Sequence, residues 1–82
     1  MIHVDVEVPI LDKTYECSLN ENVKIKTVIV EIAHVIAQNE QRSWQESKER
    51  LLLCNCSNGN ILPQEKTLYE CNVQDGCHLM LV

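Results

Sequence analysis

The spacing of apolar residues changes once along the chain, from a period of two to a period of 3.6, and this change restricts the folds open to it. In residues 2 to 8, Ile2, Val4, Val6 and Val8 alternate with His3, Asp5 and Glu7, the pattern of a strand with one buried face. Pro9 follows and ends the run. Residues 14 to 19 alternate again, with Tyr15, Cys17 and Leu19 inward and Thr14, Glu16 and Ser18 outward. A short link holding Asp12 and Lys13 makes the two runs an antiparallel hairpin. From about Val23 the spacing is helical: at about 100° per residue, Ile25, Val28, Ile29, Ile32, Ala33, Val35 and Ile36 share one arc, and Thr27, Glu31, His34 and Gln38 face away. The pattern predicts a helix lying on the hairpin's apolar face, with weak capping signals at its start and Asn39 as a terminator. Its β-branched residues each cost roughly a few tenths of a kcal/mol in helix propensity, so packing must stabilise it.

The remainder returns to strands. Arg50 to Cys56 reads as a strand, Asn58-Gly59 as a hairpin turn, and Ile61-Leu62 before Pro63 as a short return strand. Thr67 to Val73 is a compact turn that tucks in Leu68 and Val73, and Asp75-Gly76 precedes a final strand, His78 to Val82. Between helix and strand, residues 39 to 50 are polar and hold the only tryptophan, Trp44, read either as a lid over one end of the core or as an exposed anchor. Ser43-x-x-Glu46 matches a capping box and suggests a short second helical turn. No repeat or linker interrupts the order, which predicts one domain over residues 1–82.

Composition decides what holds such a domain together. Only 4% of the 82 residues are aromatic and none is Phe, so the core must be aliphatic. A chain this short buries only about 60% of its unfolded surface, which makes a cross-link worth considering. The start, MIHVDVEV, has no basic segment and alternates, unlike a signal peptide, and no run approaches the roughly 18 apolar residues of a membrane span. The cytoplasm is the expected compartment, and there an odd set of thiols at positions 17, 54, 56, 71 and 77 is not expected to be a disulfide framework. Cys54, Cys56, Cys71, Cys77 and His78 are the candidate metal ligands. In a strand, however, Cys54 and Cys56 share a face at a separation of roughly 7 Å, too far for both to reach one zinc at about 2.3 Å without a tight turn. The five cysteines are therefore expected to be ordinary reduced thiols, with no metal and no cofactor.

The net charge of −5 is uneven: residues 1 to 22 carry five acids and one lysine, residues 23 to 50 four acids and five bases, and residues 51 to 82 three acids and one base. An acidic chain with scattered bases releases too few counterions to hold a phosphate backbone, which makes nucleic acid and anionic membrane poor partners, and neither nucleic-acid binding nor direct membrane insertion is expected. A protein, with a basic face, is the expected partner.

Two strands, a helix and a return sheet is the order of the β-grasp fold, an α+β class with a mixed sheet of four to five strands packed on one main helix. Arg50-Leu51-Leu52-Leu53, Ile61-Leu62, Thr67-Leu68-Tyr69-Glu70-Cys71-Asn72-Val73 and Leu79-Met80-Leu81-Val82 resemble the matching course of ubiquitin. Within that superfamily, Leu19 followed by a polar link and Val23, the helix segment Lys26 to Ala33, the polar loop around Trp44, and Leu68 to Cys71 with Val73 and Gly76 resemble the EsaB/YukD family of bacterial ubiquitin-like proteins. The resemblance implies a cytosolic accessory component of the type VII (ESX-like) secretion machinery of Gram-positive bacteria, whose partners are membrane-anchored components of that machinery. One departure is the wide, cysteine-bearing turn at residues 54 to 60.

Conjugation and sulfur transfer by β-grasp proteins need a flexible tail ending in Gly-Gly, and here the only glycines are Gly59 and Gly76. The expectation is a module that is not conjugated. Catalysis is not expected either: His3, His34 and His78 fall on outward positions, and Cys77 and His78, adjacent in a strand, point to opposite faces. A binding surface follows from strand parity. With Leu79 and Leu81 inward, as ubiquitin's last strand implies, His78, Met80 and Val82 point to the open face of the sheet. Leu52, between inward Leu51 and Leu53, joins them, and Ile10 and Leu11 at the hairpin tip extend the patch. The competing cover for this face is the residue 39 to 50 loop or a homodimer. The rival functions are a generic ubiquitin-like adaptor of another system and a cysteine-based metal or redox protein.

Overall fold

The computed structural model describes residues 1–40 and 51–82, and these form the expected α+β arrangement with a Cα radius of gyration of 11.6 Å. Trp44, Arg50 and the Ser43–Glu46 pattern lie outside the described residues. β1 (Ile2–Val8) and β2 (Lys13–Leu19) pair antiparallel without interruption from Ile2 opposite Leu19 to Val8 opposite Lys13. Lys13 therefore belongs to the strand and not to the link. The link is a 3-10 turn, Pro9–Leu11, closed by Asp12 at φ 53°, whose amide donates to the Pro9 carbonyl at 3.0 Å.

α1 (Ile25–Glu40) buries Ile25, Val28, Ile29, Ile32, Ala33 and Ile36, as its period predicts. Val35, assigned to the same arc, is 37% exposed, because it stands at the outer edge of that arc and Ile36 fills the interior at the last buried turn. The helix includes Asn39, whose side-chain amide donates to the Val35 carbonyl at 3.1 Å, and continues to Glu40. Its weak local capping signal has a tertiary explanation. The amides of Ile25 and Lys26, unpaired by the helix itself, donate to the carbonyls of Lys66 and Gln64 at 2.7 and 3.1 Å.

β3 (Leu53–Asn55) is shorter than the Arg50 to Cys56 strand expected, although Leu52 exchanges both backbone hydrogen bonds with Val82, at 2.7 and 2.9 Å, and Cys56 donates to the His78 carbonyl at 3.0 Å. β4 (Asn60–Ile61) pairs with β3, and Gly59 in the intervening turn adopts φ 72°. β5 (His78–Leu81) lies parallel to β1 and antiparallel to β3, giving the order β2-β1-β5-β3-β4. The aliphatic core joins β1, β2, α1, β3 and β5 to Leu51, Leu62, Leu68 and Val73.

Candidate protein-docking surface

Strand pairing determines which side chains share the face opposite α1, because residues paired across a sheet project to the same side. One row runs Ile61, Cys54, Met80, Glu7 and Thr14 from β4 to β2. The next runs Cys56, His78, Asp5 and Glu16. A third holds Leu52 beside Val82. Their inward neighbours Leu51, Leu53, Leu79, Leu81, Val4, Val6 and Val8 are all buried, so β1, β3 and β5 each have one face in the core and one on the open side.

Four of the six candidate residues thus come together: Leu52 and Met80 are half-buried, and His78 and Val82 are exposed. Ile10 stands in the turn after β1 and is 66% exposed. Leu11 is half-buried and packs against the core, so the turn offers Ile10 alone. Cys54 and Ile61 also face the open side, and sequence reading assigned neither to the patch. Cys54 has the same parity as Leu52, which was signal enough. Ile61 needed the pairing with Cys54, a long-range fact.

The β1–β2 half of the face is acidic, with Asp5 and Glu7 half-buried and Glu16 exposed. His78 Nε2 lies 3.3 Å from Glu7 Oε1, and His3 Nδ1 lies 2.9 Å from Ser18 Oγ. His34 is on the helix, 3.2 Å from the Gln38 amide nitrogen. All five cysteines are unbridged. Cys77 packs against the core and its sulfur accepts the Gln74 amide at 3.3 Å, while His78 is turned to the open face. Cys17 is buried, and desolvation, then the Asp5 charge, push its thiol above the ordinary range. Cys56, exposed beside Cys54, is raised by desolvation and by the charges of Glu7 and Cys54, which is the opposite of an activated nucleophile. Among the described residues, no three His, Cys, Asp or Glu side chains converge as a metal site would require, and no helix is long and apolar enough to cross a membrane.

The turn that follows β4 is only partly legible in the sequence. Thr67 and Glu70 form a reciprocal capping box, with Thr67 N donating to Glu70 Oε1 at 2.9 Å and Glu70 N to Thr67 Oγ1 at 3.1 Å. The four-residue pattern Thr-x-x-Glu was legible in the sequence. Ahead of it, Glu65 lies between Lys24 and Lys26, each ammonium 3.2 Å from one carboxylate oxygen.

The profile of the family described as WXG100 protein secretion system (Wss), protein YukD, matches residues 3–81. No curated protein sequence matches significantly. Among solved structures, the chain is similar to the N-terminal ubiquitin-like domain of the 4931431F19Rik protein, with 23% identity, a TM-score of 0.77, and coverage of 99% of this chain and 72% of that one. It is also similar to the ubiquitin-like domain of the Arabidopsis thaliana protein At2g32350, with 17% identity, a TM-score of 0.74, and coverage of 99% and 74%. At these identities the likeness establishes a ubiquitin-like fold and carries no activity with it.

Proposed function

Because the chain belongs to the YukD family of the WXG100 protein secretion system, we propose that it serves that system as a single ubiquitin-like domain that docks on other proteins without catalysing a reaction. Its place is the cytoplasm, and its partners are membrane-anchored components of the secretion machinery. The observation that carries this role is the apolar half of the open sheet face, formed by half-buried Leu52, Cys54 and Met80 and exposed Ile61 and Val82, in a chain that matches the family over nearly its whole length. Apolar side chains gathered on one face are what a protein partner desolvates, and Met and Leu adapt to its shape.

Binding rather than conjugation is supported by the glycines. Both are committed to turns at positive φ, Gly59 at 72° and Gly76 at 87°, and they are not adjacent. Incubation with a ubiquitin-type adenylating enzyme and ATP is expected to give no acyl-adenylate. The docking role is tested in the native organism by replacing the gene with one encoding Leu52→Asp and Met80→Asp. Secretion of WXG-type substrates should change as much as in the deletion strain while the protein keeps its abundance and circular dichroism spectrum. Wild-type secretion by a folded double variant would reject the role.

A further inference from the structure

The open face is divided by charge along the boundary between β5 and β1. On one side stand Leu52, Cys54, Ile61, Met80 and Val82; on the other stand Asp5, Glu7 and Glu16. The division is set by register: Met80 has Cys54 on one side and Glu7 on the other, and His78 lies between Cys56 and Asp5. Apolar and acidic halves are therefore one strand spacing apart, about 4.8 Å. Among the outward positions of the described strands there is no Lys or Arg. The nitrogen bases on this face are His3, set against Ser18, and His78, set against Glu7.

This arrangement argues against a second copy as the occupant. Among the described residues, an isologous pair meeting through this face brings the same three acids twice and no arginine or lysine from an outward strand position to pair them. A partner that buries the apolar half while matching the acidic half must carry apolar side chains with cations along one edge. The dimensions suit a helix. From Leu52 to Cys56 the face extends about 13 Å along β3, which an α-helix rising about 1.5 Å per residue covers in roughly nine residues, with apolar anchors at i, i+3, i+4 and i+7. A helix about 10 Å wide spans two strand spacings, so its flank reaches β1. From the docking role above and this charge boundary, we propose that the face binds an amphipathic helix of a partner protein. The apolar stripe of that helix lies on Leu52, Met80 and Val82, and a row of Lys or Arg on one flank lies against Asp5, Glu7 and Glu16. The acidic strip sets the direction and identity of the partner, and the apolar half supplies the contact area.

The probes are two synthetic helical peptides of equal length with leucines at i, i+3, i+4 and i+7, one carrying lysines and the other glutamates along the same flank. Titrated into the isotopically labelled chain, the lysine peptide should bind about tenfold more tightly or better and shift the amides of β1, β3 and β5. Raising the salt from 50 to 500 mM should erase the preference. Asp5→Asn with Glu7→Gln and Glu16→Gln should also erase it, and Glu7→Lys with Glu16→Lys should invert it, each variant keeping a dispersed amide spectrum. Equal affinity for the two peptides, no binding of either, shifts confined to α1, or a preference surviving neutralisation overturns the inference. If the charge variants leave capture of secretion components intact while Leu52→Asp with Met80→Asp abolishes it, the basic helix is wrong and the docking face stands. If neither set affects capture, both fail.

Discussion

Glu65 shows how a single exposed carboxylate can contribute to the fold. Hydrogen bonds from Lys26 and Lys24, and then their charges, hold its carboxyl below the usual range. A carboxyl lowered in the folded state favours folding above its unfolded value of about 4.3 and loses that contribution as the pH falls through the folded value. Urea denaturation should therefore show stability declining more steeply between about pH 5 and pH 3 in the wild type than in Glu65→Gln, and the variant should be slightly less stable at pH 7. Cys17 has the opposite sign. Its raised thiol favours the folded state below the unfolded value of about 8.5, and this contribution is lost as the pH rises toward the folded value. Native-state labelling with iodoacetamide should modify exposed Cys56 before Cys17, which should react only with denaturant present. Labelling of Cys17 at the rate of Cys56 would contradict the packing of β2. At this scale the parity of Leu51, Leu52 and Leu53 was readable in the sequence. The Lys24–Glu65–Lys26 cluster was not, because it joins residues about forty positions apart that no local pattern relates.

The secondary-structure elements divide according to what stabilises their ends. β1, β2 and the buried face of α1 follow from their apolar periods, since each must cover one face of the same aliphatic core. The start of α1 does not follow from its own sequence, because the carbonyls of Gln64 and Lys66 pair its first amides in place of a local Ser or Asp cap. The helix thus depends on the segment following β4. Thr67→Ala, which breaks the capping box of the adjoining turn, should cost about 1 kcal/mol in equilibrium denaturation. Ile29→Ala, which opens a cavity under the helix, should cost about 2–5 kcal/mol. A Thr67→Ala variant as stable as the wild type would show that the turn is held by Leu68 and Val73 alone. Val35 marks the limit of period reasoning: the outer edge of an arc is where a small difference in helix rotation decides between core and solvent.

For the molecule as a whole, the order of elements and the in-or-out alternation along β1, β3 and β5 were legible, and the neighbours across the sheet were not. Parity tells that Met80 and Glu7 both face outward, but only the parallel register of β1 with β5 makes them adjacent and so places an acidic strip against an apolar patch. The family follows from the chain's overall pattern, and the docking face from long-range pairing. If the open face, and not the exposed side of α1, meets the secretion machinery, a photo-crosslinking amino acid at position 80 should capture a secretion-machinery component in irradiated living cells, and the same group at position 34 should not, with the adducts identified by mass spectrometry. Capture from position 34 and not from position 80 would place the docking surface on the helix and rule out the open face.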